Sequence, residues 1–154
     1  MRALLQRVCE ASVSVDHRQI ARIDHGLLVL LGIYPDDGAS EIRYLVDKTL
    51  GLRIFPDSDK HMNRSVVDVA GGVLVVSQFT LAADVSRGNR PGFSKAATPE
   101  VAQPLYEDFL AVMRERYARV AAGCFGADMQ VALVNDGPVT ILLERHRSQA
   151  SHST

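Results

Sequence analysis

The stretch Gly71-Gly72-Val73-Leu74-Val75-Val76-Ser77-Gln78-Phe79-Thr80-Leu81 decides the fold class. Valine and leucine fill both parities of its first half, so a strand here is apolar on both faces and needs cover on both. The pattern predicts a central strand from Val73 to Leu81, entered through the glycine pair and running out to polar side chains. Gly26-Leu27-Leu28-Val29-Leu30-Leu31-Gly32-Ile33 has the same character and predicts a second such strand.

The cover is legible on either side. Ile42, Leu45, Val46 and Thr49 fall at i, i+3, i+4 and i+7, one face of an amphipathic helix that follows the break at Pro35-Asp36-Asp37-Gly38. Thr98-Pro99 has the form of an N-cap and first-turn proline, and Val101, Leu105, Phe109, Val112 and Met113 keep helical spacing to about Tyr117. Arg2 to Cys9 and the alternating Ala11-Ser12-Val13-Ser14-Val15 read as strands, Asp16-His17-Arg18 as a turn, and Gln19 to Ile23 as a return strand. Leu52-Arg53-Ile54-Phe55 reads as a strand ended by Pro56, with a loop from Asp57 to Arg64. Met129 to Val134 and Val139 to Leu143 are two last strands, parted by Asn135-Asp136-Gly137-Pro138. Two long helices cannot cover both faces of so much sheet, so a layered α/β arrangement with sheet faces packed on each other is expected. The chain reads as one domain over 1–144, with a polar tail over 145–154 that is expected to fray.

With 154 residues, 47% of them hydrophobic and 23% charged, the chain can bury a core without disulfides or metal staples. No apolar run approaches the ~20 residues that a bilayer span needs. The first residues lack the long apolar core and cleavage site of a signal peptide, so a cytoplasmic location is expected. Cys9 and Cys124 lack the spacing of a metal knuckle or redox pair and read as small packing residues. A net charge of −1 does not suit a protein that coats duplexes. An RNA partner would be gripped locally, at a single-stranded end.

The usual chemical engines are missing. No HExxH, P-loop, GxGxxG or GxSxG occurs, and His17, His25, His61, His146 and His152 fall in turns, loops or the tail. Two segments stand out instead. Ser77-Gln78-Phe79-Thr80-Leu81 is either a strand running out to its surface end, with Phe79 in the core, or a polar strand end where ligand pockets form. Asn135-Asp136-Gly137-Pro138-Val139-Thr140 is either a plain turn or, with a cis Gly-Pro bond, a rigid pair of outward carbonyls able to hold an ammonium group.

At these two segments the chain closely resembles the D-aminoacyl-tRNA deacylase family, whose marks SQFTL and NxGPxT stand intact here. The likeness continues through Gln6-Arg7-Val8, Gly26 to Leu30, Met62-Asn63, Arg90-Pro91, Pro99-Glu100, Leu105-Tyr106 and Gly123 to Met129, and covers about residues 1 to 144. Gly92 stands where the family often has serine after Arg-Pro, and His61 precedes Met62 where a Gly-Lys pair is usual.

The resemblance implies a three-layer α/β/β fold with mixed sheets and an obligate homodimer with active sites at the subunit interface. It implies a cis Gly137-Pro138 bond, inserted into the partner's pocket, with Arg7 holding the motif. Ser77, Gln78, Phe79 and Thr80 would line the reaction site, and Ala102, Phe125 and Met129 would border the pocket for the terminal adenosine of the tRNA. The implied reaction is hydrolysis of D-aminoacyl-tRNA, and of glycyl-tRNA, with L-aminoacyl-tRNA shut out at the motif. No metal or cofactor is expected. Such an ester is already activated, so water needs placement and oxyanion stabilisation more than a strong nucleophile. Thr80 as a covalent nucleophile is the rival mechanism, and the sequence supplies it no base. The alternatives to the whole reading are a small-molecule esterase or amidase on the same fold, and a non-catalytic dimer that binds RNA ends. Arg87 and Arg90, in the basic loop from Ser86 to Gly92, either meet phosphates or form a solvated loop.

Overall fold

The computed structural model describes residues 1–146, so the tail expected over 145–154 lies, from residue 147 on, outside the described residues. Strand β1 (Arg2–Val15) is one 14-residue strand where the pattern predicted two. Its first half buries Ala3, Leu5 and Arg7 on one side. Cys9 and Glu10 then both face solvent, and Ala11 and Val13 are buried on the opposite side. Register shifts near Val8 account for this: one extra residue in a ladder flips the buried parity and bends the strand. A single strand thereby runs through two layers.

Along its first half, β1 pairs antiparallel with β3 (Gly26–Gly32), and along its second half with β2 (Arg18–Ile23). Its other edge carries β6 (Gln130–Glu144) along both halves. Beside β3 lie β4 (Gly72–Ser77) and then β5 (Val120–Ala122), both parallel to their neighbour. The chain crosses from β3 to β4 through α1 (Ala39–Gly51) and from β4 to β5 through α2 (Pro99–Arg116).

Two cores fix the layers. Ile42, Leu45 and Val46 of α1, with Phe109 and Met113 of α2, pack on the sheet face that carries Leu5, Leu27, Val29, Val73 and Val75. The other face, with Leu28, Leu74 and Val76, packs on Val8, Ala11, Val13 and Ile23 of the folded-over second layer. The architecture is the three-layer α/β/β arrangement with a mixed sheet. Bare backbone permits the close approach of the β layers. A Cβ on Gly72 would sit 2.8 Å from the Ile23 Cβ of the second layer; within the first layer, one on Gly26 would lie only 1.9 Å from the oxygen of its β4 neighbour Gly72.

Several elements differ from the sequence reading. The central strand stops at Ser77 instead of running to Leu81; Phe79–Ala82 forms a 3-10 turn, and the Gln78 N–H donates to the Leu31 oxygen at 2.7 Å. Leu52 to Phe55 makes no strand beyond one bridge from Phe55 to Arg64. Strand β5 escaped notice because three residues are too short to carry a period. The two strands expected at the end are one long β6 with an interruption. Cys9 and Cys124 are exposed, not packed inside.

Candidate active site

Beyond the carboxyl ends of the parallel pair β3–β4, where Leu31 lies beside Ser77, a cleft of about 420 Å³ opens. Open α/β sheets place ligand crevices at such strand ends. It is lined by Leu31 and Ile33, by the polar Ser77 and Gln78, by Ala97, and by Pro99 and Ala102 from the start of α2. Phe79 and Phe93 stand at its rim with ring centroids 5.0 Å apart at 66°, an edge-to-face pair. Phe79 is 58% exposed, which overturns the reading that buries it in the core. Phe93 was not singled out from the sequence, where Pro91-Gly92 before it signalled only a loop.

Ser77, Gln78, Phe79, Ala102 and Phe125 all line this cleft. Thr80 is exposed in the 3-10 turn and is not among its lining residues; its hydroxyl is hydrogen-bonded to Gln78 Nε2. Phe125 leans on Tyr106, with centroids 5.7 Å apart. The Tyr106 hydroxyl donates to the Val75 oxygen at 3.1 Å, and burial pushes the phenol up to about 12. Met129 stands elsewhere, packed against the second core behind the sheet. Its sulfur accepts the Cys124 N–H at 3.4 Å, so it braces the loop that carries Phe125 without touching the cleft.

Gly137 and Pro138 are joined by a cis peptide, and both are exposed. They lie in a separate depression of about 270 Å³ with Arg7, Pro56, His61 and Met62. The β1–β6 register explains the excursion: Gln6 faces Thr140 and Val8 faces Asn135, so residues 136–139 bulge opposite Arg7 alone. Buried Arg7 donates from Nε to the Asp136 oxygen at 3.2 Å and from Nη1 to the Ile54 oxygen at 2.6 Å. Asn135 closes the loop, its Oδ1 accepting the Val139 N–H at 2.9 Å and its Nδ2 donating to Thr140 Oγ1 at 3.0 Å. The Asp136 carboxylate lies 3.2 Å from Arg7 Nε and 3.6 Å from His25 Nε2. Sequence reading placed Asn135 in the motif without a role of its own and passed over His25, because nothing local reveals that the residue before β3 lies beside the β6 bulge. Within one chain, the motif does not line the cleft. Among the described residues, no group of three or more His, Cys, Asp or Glu is placed to hold a metal ion.

With this geometry in view, comparison with known proteins is specific. The family model described as D-Tyr-tRNA(Tyr) deacylase matches residues 4–144. The chain belongs to this family. A D-aminoacyl-tRNA deacylase of Anaeromyxobacter dehalogenans is 56% identical over 147 residues, covering 96% of this chain and 99% of that protein. One of Clostridioides difficile is 51% identical over 148 residues, covering 96% and 99%. A solved structure described as c-Myc DNA Unwinding Element Binding Protein superposes with a TM-score of 0.91 at 45% identity, covering 96% of this chain and all of that one. A probable eukaryotic D-amino acid tRNA deacylase shares the fold at 20% identity, with a TM-score of 0.79 over 92% of this chain and 97% of that one. The deacylase family thus accounts for the two marked segments at once. No helix among the described residues is long and apolar enough to cross a membrane.

Proposed function

We propose that this chain hydrolyses the ester bond of D-aminoacyl-tRNA, releasing D-amino acid and tRNA, and that it does so in the cytoplasm as a homodimer. Membership in the family makes it a hydrolase of aminoacyl-tRNA esters. The observation that carries the finer reading is the separation of cleft and motif. A largely apolar cleft ends in Ser77 and Gln78, while the exposed Gly137-Pro138 step lies outside it. One chain therefore holds two half-sites, and a second copy, inserting its Gly137-Pro138 into this cleft, would complete both. Leu133, Val134 and Leu142 leave apolar surface on β6, the strand that carries the motif, which suits such an interface.

In the assembled site, Ala102 and Phe125 border the terminal adenosine, with Met129 acting on that pocket through the loop it braces. Backbone donors near Phe79 stabilise the oxyanion, and the free ribose hydroxyl of the adenosine assists attack by water. Thr80 is a poor covalent nucleophile here. The group on its hydroxyl is a side-chain amide, which cannot take a proton. The Gly137 and Pro138 carbonyls receive the amino group, so a D side chain points outward and an L side chain meets backbone. A rigid clash rejects more strongly than a missing contact, worth about 1–3 kcal/mol. Glycine carries nothing to clash, so glycyl-tRNA is cleaved too.

Incubating the protein with D-tyrosyl-, L-tyrosyl- and glycyl-tRNA side by side tests this reading. Release from the first and third, with the second intact, is expected; equal cleavage of both tyrosyl esters, or of neither, would overturn it. Single-turnover rates of Thr80→Ala near those of the parent chain are expected, and a loss of about three orders of magnitude would restore Thr80 as nucleophile.

A further inference from the structure

The segment between Phe79 and Phe93 is absorbed by neither half-site. It leaves the 3-10 turn at Ala82, forms a hairpin closed by two hydrogen bonds between Asp84 and Gly92 (2.8 and 2.9 Å), and returns directly into Phe93. Both of its stems therefore spring from the aromatic rim of the cleft. The Asp84 carboxylate accepts the Ser86 N–H at 3.0 Å and the Ser86 hydroxyl at 2.7 Å, and pairs with Lys95 at 3.1 Å. These bonds hold the carboxyl well below the usual carboxylate range, so it stays ionised and locked into the base of the hairpin.

The hairpin's one acid is thus engaged at the stem. At the tip, Arg87 and Arg90 are exposed and form no ion pair or side-chain hydrogen bond among the described residues. Two exposed guanidiniums on a tied-down hairpin, beside two rim phenyls of which Phe79 is 58% and Phe93 38% exposed, combine the two things that unpaired nucleic acid binds. Those are cations for its backbone and ring faces for its bases.

We propose that the Asp84–Gly92 hairpin and the Phe79–Phe93 pair form the docking surface for the unpaired nucleotides that precede the terminal adenosine of the tRNA, with Arg87 and Arg90 on their phosphates. The inference rests on the deacylase reading and extends it from the reacting ester to the RNA chain. A strand leaving the cleft crosses this rim. The rings offer stacking that is indifferent to base identity, and the arginines offer bidentate contacts to phosphate oxygens.

The test compares two substrates of the full-length protein: D-tyrosyl-tRNA, and the same amino acid esterified to adenosine alone. In the Arg87→Ala/Arg90→Ala double variant, the loss of kcat/KM on the tRNA ester is expected to exceed the loss on the adenosine ester by tenfold or more. The slope of log kcat/KM against log salt on the tRNA ester should flatten by about 1.4, or about 0.7 for each single-strand phosphate released. The Arg87→Lys/Arg90→Lys variant keeps the charge and should keep the slope. Equal losses on the two esters, or an unaltered slope in the alanine variant, would overturn the docking surface while leaving the deacylase reading intact. A parent chain that turns over neither ester would instead remove the reading beneath it.

Discussion

Arg7 Nε stands 3.2 Å from both the carbonyl oxygen and a carboxylate oxygen of Asp136, although Arg7 belongs to the buried face of β1 and Asp136 to the bulge of β6. An arginine that is 8% exposed thereby ties the base of the Gly137-Pro138 loop to the sheet, and the second branch of its guanidinium reaches the Ile54 oxygen. Removing it leaves buried acceptors unpaired. Arg7→Ala is expected to lower unfolding stability by about 3 kcal/mol. On the proposed reading it also loosens the motif, so discrimination between D- and L-tyrosyl-tRNA should fall at least tenfold. Chemical denaturation and the ratio of the two deacylation rates measure these separately. Full discrimination in a folded Arg7→Ala protein would remove Arg7 from the selectivity device.

Gly137 has φ of +129°, a region closed to side chains, and a Cβ there would lie 2.9 Å from Val139 Cγ2 and 3.0 Å from Arg7 Nη2. Gly137→Ala is therefore expected to shift the loop at a cost of about 1–3 kcal/mol and to reduce D-aminoacyl-tRNA hydrolysis more than tenfold. A variant with parental melting and activity would show that the loop takes up a methyl group without consequence.

How much of this was legible in the sequence follows from which interactions are local. The α1 face carrying Ile42, Leu45 and Val46, the Thr98-Pro99 start of α2 and the doubly apolar strands at Leu27–Leu31 and Val73–Val76 all announce themselves by period. The bend of β1 does not, because Cys9-Glu10 looks like an ordinary break until the β6 register is known. Among site residues, Ser77 and Gln78 are marked by polarity at a strand end. Phe93 is invisible, since its meaning comes from Phe79 across a hairpin, and His25 is invisible for the same reason, through Asp136. The polar end of the central strand was read one element too long, because a 3-10 turn of Phe-Thr-Leu-Ala has the composition of a strand.

Ala102, 8% exposed, lines the cleft together with Phe125. Ala102→Leu would carry its added carbons into open volume rather than into packed core, so folding should be little affected. If the adenosine occupies that volume, kcat/KM on D-tyrosyl-tRNA should fall tenfold or more, chiefly through KM. An unaffected KM in a folded variant would move the adenosine elsewhere.

Tyr106 provides a pH signature of the wall behind Phe125. Its phenol is raised from an ordinary value near 10 to about 12 by burial. Between those values the unfolded chain has released its proton and the native one has not, so the native state binds more protons and stability declines as pH rises through this window. The decline approaches about 1.4 kcal/mol per pH unit for one group, is about half that at pH 10, and fades roughly a unit below. Tyr34 and Tyr117 are also raised by burial, so the informative comparison is with Tyr106→Phe. That variant costs about 1 kcal/mol at neutral pH, a small loss because the Val75 oxygen keeps the Gly123 N–H at 2.9 Å. It should also decline less steeply from pH 10 to 12. Parallel stability curves for the two proteins over that range would mean that Tyr106 titrates as an accessible phenol, and that the wall against which Phe125 rests is open to water.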